Sequence, residues 1–233
     1  MPDITVVVTA RDRCEWLRRC LSALAELSAK PAVVVVDHSA HDATARMVSR
    51  DFPQVRLLRR QPTNVAEARN AGVAASATPF VALAEVDSGW APGSLEKGVE
   101  LMGKYDRLAV VAARTLSGKE RKPDPITKSM ASASEGKETD LPGPSIQLFR
   151  ASSAILRREA FLEVGGFDPA ASPTGPTRRL VMDLERAGWG LAYCPEVVAF
   201  AERPQHPAHK PQQVVVRRKY EVKRGAVEKP RSL

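Results

Sequence analysis

The sequence predicts an α/β domain in which a mostly parallel central sheet carries helices on both faces. Short apolar runs rich in β-branched residues alternate along the chain with segments whose apolar residues recur at helical spacing. Strands that alternate with helices pair in parallel and place those helices on the two faces of the sheet. The first two runs are β-branched at every position, as expected of strands buried on both sides.

Five runs in the first half of the chain predict strands, and helical patterns connect them. The predicted strands cover residues 4–8, 33–36, 55–58, 79–84 and 108–113. The connecting helices are predicted to begin near Asp12, Asp42, Asn64 and Pro92. Asp12 and Glu15 have the spacing of a capping box. The apolar residues that follow form one stripe at helical spacing, made of Leu17, Cys20, Leu21, Leu24 and Leu27.

The second half of the chain has a weaker pattern. Residues 117–145 are polar and rich in Ser, Pro, Gly and Lys, which predicts a long flexible loop or lid. Beyond it, further elements are predicted over 155–164 (strand and helix), 180–187 (helix), 191–194 and 197–200 (apolar runs). We therefore expect a single domain over 1–209, followed by a disordered tail.

The net charge of +8 is concentrated at one end of the chain. Residues 210–233 hold eight Lys or Arg against two Glu, so this basic tail carries +6 and the preceding residues carry only +2. A separate positive tail indicates contact with an anionic membrane surface or an acidic partner. A nucleic acid is a less favoured partner for it. The alternative is a solvated terminus without a partner.

Composition excludes several protein classes. The apolar fraction of 43% and the charged fraction of 27% are those of a globular protein, not of a collagen-like or disordered chain. No apolar run reaches the roughly 18 residues that a membrane-spanning helix needs, and the first residues lack the pattern of a secretory signal. Three cysteines without metal-ligand spacing indicate reduced thiols. These features predict a cytoplasmic protein, peripheral at the inner face of the membrane if the basic tail binds lipid.

Acidic residues follow three of the predicted strands, at the edge where parallel sheets bind ligands. They are Asp12, Asp37 and the pair Glu85 and Asp87. A Glu-x-Asp pair suits Mg²⁺ or Mn²⁺, because hard cations bind carboxylate oxygens and substrate phosphates can complete the shell. Arg69, in the third predicted helix, is a candidate partner for a phosphate. The alternative is that the acids are solvated turn residues and that Arg69 lies on an exposed helix face.

Seven short motifs occur in one order along the chain. They span Val6–Arg13, Val35–Thr44, Ala68–Gly72, Ala84–Asp87, Val164–Asp168, Arg186–Trp189 and Tyr193–Pro195. In this order and spacing they resemble the motifs of family 2 glycosyltransferases, over about residues 4–200. The resemblance implies the GT-A fold of nucleotide-diphospho-sugar transferases and transfer of a sugar from a nucleotide-sugar donor to an acceptor, with inversion. The segment Arg11-Asp12-Arg13, taken together with the downstream motifs, resembles an actinobacterial subgroup that includes the mycofactocin-type glycosyltransferases.

The resemblance also implies roles for individual residues. Those that would bind the donor are Thr9, Arg11, Asp12, Asp37, Arg69 and Glu85. A divalent cation, Mn²⁺ or Mg²⁺, would be held by Glu85 and Asp87 together with His206. Such a cation stabilises the negative charge that develops on a diphosphate leaving group.

The chain departs from the family pattern in its predicted metal motif. The motif begins with Glu85, where the family usually has Asp or Asn. Ala201 stands where the family has a histidine, so that His206 or His209 would have to replace it.

A larger departure concerns the group that deprotonates the acceptor. The family has an acidic residue where residues 176–179 read Pro-Thr-Arg-Arg. The nearest carboxylates are Asp183 and Glu185 further along the predicted helix, with Asp168 upstream. Asp183 and Glu185 point about 200° apart around a helix, so one of them is expected to face the cleft. These two are the predicted catalytic residues.

Three function classes remain open on the sequence alone. The leading one is an active glycosyltransferase, and the second is a pseudo-glycosyltransferase that binds a nucleotide or a partner without transfer, which the missing acid favours. The third is a scaffold protein that uses the basic tail. A nucleotidyltransferase is disfavoured, because no Gly-rich phosphate loop follows the first strand.

Overall fold

The computed structural model describes residues 3–61, 63–132, 140–171 and 176–202, and within these ranges nine strands form one sheet. The strands are β1 (Ile4–Ala10), β2 (Ala32–Asp37), β3 (Arg56–Arg59), β4 (Phe80–Glu85), β5 (Ser88–Trp90), β6 (Leu108–Ser117), β7 (Lys122–Pro123), β8 (Ala154–Arg157) and β9 (Gly190–Ala201). The helices are α1 (Cys14–Ala25), α2 (Ala43–Asp51), α3 (Val65–Ala75), α4 (Ser94–Lys104), α5 (Pro125–Ser132), α6 (Arg158–Glu163) and α7 (Pro176–Arg186).

The sheet combines a parallel half with a mixed half. Its order is β3-β2-β1-β4-β8-β6-β9-β5, and β7 pairs with the end of β6. The first four strands of that order are parallel, β8 runs against both of its neighbours, and β9 is parallel to β6. Six of the described strands therefore share one direction, which confirms the prediction of a mostly parallel sheet.

Helices cover both faces, and the residues of β1 show how the core divides between them. Val6 and Val8 belong to a buried cluster with Leu17 of α1 and Met102 of α4. Val7 points to the opposite face, because side chains alternate along a strand, and it belongs to a second cluster with residues of α3, α6 and α7. The predicted α/β architecture with helices on both faces is confirmed.

Helix α1 buries the predicted stripe, but its start differs from the prediction. Leu17, Leu21 and Leu24 are all buried. The predicted capping box was wrong: Arg13 occupies the N-cap position, no side chain caps the helix, and Asp12 adopts a φ of 54°. The Asp12 carboxylate binds a backbone amide in the loop after β2 instead.

The other predicted helix starts were right to different degrees. Asn64 caps α3, because its side chain accepts a hydrogen bond from the Glu67 amide at 2.9 Å. Asp42 directly precedes α2, but its carboxylate pairs with Arg59 rather than with a helix amide. Helix α4 begins after Gly93, whose φ of 78° turns the chain, and thus later than the proline predicted to start it.

Residues 117–145, predicted as a long flexible loop or lid, contain regular structure. Strand β7 and helix α5 lie inside this segment, so the expectation of a loop without secondary structure was wrong there. Residues 133–139 fall outside the described residues, and a lid function stays a prediction.

Helix α5 is anchored by a buried ion pair. Asp124 precedes Pro125, the first residue of the helix, and accepts a hydrogen bond from the Thr127 amide at 2.7 Å. Its second carboxylate oxygen accepts two hydrogen bonds from the guanidinium of Arg150. The Asp-Pro pair is a sequence signal for a helix start, but the polar residues around it obscured the helical pattern.

The last two predicted apolar runs form a single strand. β9 continues through Pro195, and its pairing with β6 shifts between Ala113–Cys194 and Arg114–Val198. The shift leaves Pro195 out of the ladder, which suits a residue that has no amide hydrogen to donate.

Residues 203–233 fall outside the described residues, so the domain end at 209, the basic tail and the role of His206 stay predictions. Among the helices of the described ranges, none combines the length and the hydropathy needed to cross a membrane.

Candidate active site

Three of the predicted donor-binding residues meet at one edge of the sheet. Thr9 of β1 lies opposite Glu85 of β4, and Ala10 lies opposite Asp37 of β2. All of these positions are at the carboxyl ends of parallel strands, where open α/β sheets bind their ligands. The candidate active site is therefore built at this edge.

Asp37 is fully buried and has spare capacity to accept a hydrogen bond. Its Oδ1 accepts from the Ser39 amide at 3.1 Å. Among the described residues its Oδ2 accepts no hydrogen bond, and it forms an ion pair with Arg59, whose Nε lies 3.5 Å away. A buried carboxylate oxygen without a hydrogen-bond donor is costly, so a ligand N–H or hydroxyl at this position would stabilise it.

The loop after β1 is tied to the loop after β2. The Asp12 amide donates to Ser39 Oγ at 2.8 Å, and Asp12 Oδ1 accepts from the Ala40 amide at 3.3 Å. These two bonds hold Asp12 in its left-handed conformation. Arg11, before it, is exposed and leaves the loop's surface positively charged.

Glu85 and Asp87 frame a tight turn between β4 and β5. Ser88 holds the turn, because its Oγ accepts from the Glu85 amide at 2.8 Å and donates to the Glu85 carbonyl oxygen at 3.1 Å. The Glu85 and Asp87 side chains are 38% and 19% exposed, so both carboxylates are accessible to a ligand.

Each of these two acids has an arginine partner. Arg69 of α3 donates through Nη2 to Glu85 Oε1. Arg13 Nη1 lies 3.1 Å from Asp87 Oδ2. Two guanidinium groups and two carboxylates thus lie together at the edge of the sheet. The guanidinium groups partly neutralise the negative charge of the predicted metal motif.

Arg69 is largely buried, so the alternative of an exposed helix face is wrong for it. Its side chain is 12% exposed, and its Cζ lies 5.7 Å from the centroid of the Phe167 ring. Burial lowers the pKa of Arg69, and the neighbouring Glu85 carboxylate opposes that shift. A guanidinium held this way loses little further freedom when it binds a phosphate.

Asn70, the next residue of α3, clamps the backbone of Phe167. Its Nδ2 donates to the Phe167 carbonyl oxygen at 2.7 Å, and its Oδ1 accepts from the Phe167 amide at 3.0 Å. The predicted motifs Ala68–Gly72 and Val164–Asp168 are therefore in direct contact, although they are far apart in the sequence.

Asp183 and Glu185, the predicted catalytic residues, bind other side chains of the protein. Asp183 Oδ2 lies 2.6 Å from Arg179 Nε, and its Oδ1 lies 3.4 Å from Arg186 Nη1, so both ion pairs are internal to α7. Glu185 accepts a hydrogen bond from Gln147 Nε2 at 2.8 Å. These contacts do not link either acid to the turn of Glu85 and Asp87, and their catalytic role stays a prediction.

Glu85 and Asp87 suit a divalent cation by their chemistry. Two carboxylates supply hard oxygen ligands and leave coordination positions for the oxygens of a diphosphate and for water. The described ranges contain no group of three His, Cys, Asp or Glu side chains arranged around one metal position. The third predicted ligand, His206, lies outside the described residues.

Two residues of this site were not assigned from the sequence. Arg13 lies within a motif that was recognised, but only Arg11 and Asp12 were given a role there. Asn70 also lies in a recognised motif. The spacing of neither residue reveals its partner, because each partner lies more than 70 residues away along the chain.

The chain is similar to known proteins over most of its length. The family model described as glycosyl transferase family 2 matches residues 5–165. Over 217 residues the chain is 31% identical to the pre-mycofactocin glycosyltransferase of Mycobacterium tuberculosis, covering 87% of this chain and 43% of that protein. It is 30% identical over 171 residues to the succinoglycan biosynthesis protein ExoO of Rhizobium meliloti, covering 68% of this chain and 45% of that protein. The chain therefore spans less than half the length of these relatives.

A solved structure shows the same fold. The mannosyltransferase PcManGT of Pyrobaculum calidifontis, solved in complex with GDP-Man and Mn²⁺, matches with a TM-score of 0.64. The match covers 88% of this chain and 58% of that chain at 18% identity, so it supports the GT-A fold alone. The predicted resemblance to the mycofactocin-type subgroup is confirmed by the relative from Mycobacterium tuberculosis. From its sequence motifs and its match to the family model, this chain belongs to glycosyl transferase family 2.

Proposed function

We propose that this chain moves a sugar from a nucleotide-sugar donor to an acceptor hydroxyl, with inversion at the anomeric carbon. The observation that carries the proposal is the convergence of Asp37, Glu85 and Asp87, with Arg69 and Arg13, at one edge of the sheet. A nucleotide sugar needs hydrogen-bond acceptors for its nucleoside and cations for its diphosphate, and this edge supplies both.

The relatives support a transferase rather than a protein that has lost its activity. The relative from Mycobacterium tuberculosis is named as a glycosyltransferase, and the structural neighbour from Pyrobaculum calidifontis is a mannosyltransferase solved with GDP-Man and Mn²⁺. Neither lends support to the pseudo-glycosyltransferase alternative. By this likeness we propose a nucleotide sugar as the donor and Mn²⁺ or Mg²⁺ as the cofactor.

The nucleoside would bind between the loops after β1 and β2. Oδ2 of Asp37, which accepts no hydrogen bond from the described residues, would accept one from the base or the ribose, and Thr9 lines the same strand end. The bonds between Asp12, Ser39 and Ala40 fix the two loops around this position before the donor arrives. Such preorganisation lowers the entropy cost of binding.

The diphosphate would bind over the turn of Glu85 and Asp87. These two carboxylates would hold the divalent cation, which supplies positive charge to the diphosphate leaving group. Arg69, held by α3 beside the same turn, adds a second cation that stabilises the charge developing on the leaving oxygen.

The proposal is tested by donor binding and turnover in the full chain. The chain is incubated with MnCl₂ and GDP-mannose, UDP-N-acetylglucosamine or UDP-glucose. A donor present at 100 times its Kd should stabilise the fold by about 2.7 kcal/mol and raise the melting temperature. Release of nucleoside diphosphate from that donor measures turnover, with water or an added sugar as acceptor.

The variant Asp87→Ala should lose the Mn²⁺-dependent part of donor binding and keep the fold. Glu100→Ala is the matched control, because Glu100 is an exposed acid on α4. If no donor raises the melting temperature and no nucleoside diphosphate is released, the proposed function is wrong.

We also propose that the basic tail binds an anionic membrane surface. The sequence supports this through the charge of +6 over residues 210–233, since each basic residue near such a surface contributes about 1 kcal/mol at low salt. The full chain should sediment with phosphatidylserine vesicles, a chain ending at His209 should not, and neither should bind phosphatidylcholine vesicles. Equal sedimentation of both chains would contradict the proposal, and binding only to an acidic polypeptide would replace lipid by an acidic partner.

A further inference from the structure

Asp168 lies next in the chain to a residue that contacts Arg69, the arginine proposed to bind the donor diphosphate. It directly follows Phe167, and the guanidinium of Arg69 lies over the Phe167 ring. Arg69 in turn pairs with Glu85 in the predicted metal motif. A continuous set of contacts therefore runs from the turn after β4, through Arg69, to the residue that precedes Asp168.

The backbone on both sides of Asp168 is held by α3. Before it, Asn70 donates to the Phe167 carbonyl oxygen and accepts from the Phe167 amide. After it, Asn64 Nδ2 donates to the Pro169 carbonyl oxygen at 3.3 Å. Both asparagines belong to the start and middle of the helix that carries Arg69, so Asp168 and Arg69 are positioned by one rigid element.

The glycine before this segment makes that arrangement sterically feasible. Gly166 has a φ of 75°, and a Cβ atom there would lie 2.8 Å from Asn70 Oδ1 and 2.7 Å from Phe161 Cε1. Only a residue without a side chain allows Asn70 to reach the Phe167 backbone in this way.

The Asp168 side chain has one oriented oxygen and one oxygen that has no partner among the described residues. Oδ1 accepts a hydrogen bond from the Ala170 amide at 2.9 Å, which fixes the carboxylate. Within the described part of the chain, Oδ2 makes no hydrogen bond or ion pair. The residue is half-buried, so this oxygen can accept a proton from a bound hydroxyl.

Asp183, one of the two acids predicted from the sequence, is less suited to this task. It lies between Arg179 and Arg186, and protonating it would break both ion pairs. A general base must have an oxygen available to the acceptor hydroxyl.

Asp168 acts electrostatically on the first turn of α7, where the family's acidic residue is expected. Hydrogen bonding to Asp183 and the negative charges of Asp183 and Asp168 raise the pKa of Arg179 in that turn. Asp168 itself belongs to the turn after α6 and not to α7.

We propose that Asp168 is the general base of the transfer reaction, an inference that rests on the proposed function. The acceptor hydroxyl gives its proton to Oδ2 of Asp168 while the acceptor oxygen forms a bond to the anomeric carbon. The bond between that carbon and the diphosphate oxygen breaks, and its electron pair leaves with the nucleoside diphosphate. Asp168 then releases the proton to solvent.

The test measures donor hydrolysis by the full chain, because a water molecule needs the same base as a sugar hydroxyl and the acceptor need not be identified. Nucleoside diphosphate release from GDP-mannose, UDP-N-acetylglucosamine and UDP-glucose is followed with MnCl₂. Asp168→Asn should lower kcat by about 10²- to 10⁴-fold, as expected for loss of a general base. The Kd for the donor should stay within threefold of the wild-type value, because Asn retains an oxygen for the Ala170 amide.

Further variants separate a base from a structural residue. Asp168→Glu should recover part of the rate, and Glu100→Gln, at an exposed acid on α4, should stay within threefold of the wild-type kcat. If Asp168→Asn keeps the wild-type kcat, or loses donor binding and rate together, Asp168 is not the base. If Asp183→Asn or Glu185→Gln loses more than tenfold while Asp168→Asn does not, the base lies on α7.

Failure of the proposed function gives a different result. A wild-type chain that binds and cleaves none of the three donors overturns the proposed function, and the base with it. If the wild-type chain cleaves a donor at the same rate as Asp168→Asn, only the assignment of Asp168 as the general base is wrong.

Discussion

Arg13 and Asp87 form an ion pair between the loop after β1 and the turn after β4, with 3.1 Å between Nη1 and Oδ2. The second acid of the predicted metal motif therefore has a cationic partner before any metal binds. Glu85 has a similar partner in Arg69. A divalent cation that binds these carboxylates must compete with two guanidinium groups for the same oxygens.

Removing Arg13 should strengthen metal binding in the absence of a nucleotide. An exposed ion pair contributes about 0.2–1 kcal/mol, so Mn²⁺ should bind Arg13→Ala about 1.5- to 5-fold more tightly than the wild type. Titration calorimetry with MnCl₂ measures the change.

Arg11→Ala is the matched control for Arg13→Ala. It removes the same charge from the same loop, but Arg11 makes no ion pair among the described residues. An equal gain in Mn²⁺ affinity in both variants would mean that only the overall electrostatic potential changed. No gain in either variant would mean that Arg13 does not compete with the metal.

Arg150 should be important for the stability of the fold. Its side chain is 10% exposed, and that of its partner Asp124 is 2% exposed. Removing one partner of a buried pair leaves an uncompensated charge, so Arg150→Ala should lower the free energy of unfolding by about 3–5 kcal/mol. Urea denaturation followed by circular dichroism measures this difference.

Lys97→Ala provides the comparison for Arg150→Ala. Lys97 pairs with Glu100, and these side chains are 35% and 62% exposed. Loss of such a pair should cost less than about 1 kcal/mol. Equal losses in the two variants would show that burial of the Asp124–Arg150 pair does not determine its contribution.

The strands at the edge of the site follow directly from the sequence. β-Branched runs in β1 and β2 can bury both faces of a sheet, so their position and direction were predictable. With them followed the edge of the sheet at which Asp37 and Glu85 lie. The family motifs added the expected role of Arg69. The pairing of side chains across this edge was not predicted from the sequence.

Those pairings depend on local conformations that residue patterns do not specify. Arg13 reaches Asp87 from a loop in which Asp12 has a φ of 54°, whereas the capping-box pattern predicted that Asp12 would start α1. Asp183, one of the two predicted catalytic residues, is bound by the arginines one turn away on the same helix. In both cases the observed partner is one of several that are equally plausible in the sequence.

The three cysteines should differ in reactivity toward thiol reagents. Burial raises the pKa of Cys20 and of Cys194 to about 12, so at pH 8 only about one molecule in 10⁴ carries either thiolate. Cys14 is only half-buried. Ellman's reagent at pH 8 should therefore modify one thiol rapidly in the native protein and three in denaturant.

Cys14→Ser should remove the rapid phase of this reaction. Cys20 lies against the carbonyl oxygens of Glu85 and Ser88, so its labelling would report opening of α1 away from the candidate active site. Rapid labelling of Cys20 or Cys194 in the native wild type, identified by peptide mass spectrometry, would contradict the prediction.

Gly166→Ala should disturb the segment that carries Asp168. An L-residue at a φ of 75° costs about 1–2 kcal/mol, and the added Cβ would also lie 2.8 Å from Asn70 Oδ1. Gly165→Ala is the matched control: its φ is 80°, but a Cβ there meets nothing within 4 Å. Gly166→Ala should therefore lower the free energy of unfolding in urea by more than Gly165→Ala does, and it should also lower the rate of donor hydrolysis. Equal stability losses would mean that the contact between Asn70 and Phe167 tolerates the extra atom, and an unchanged rate would mean that this contact does not position Asp168.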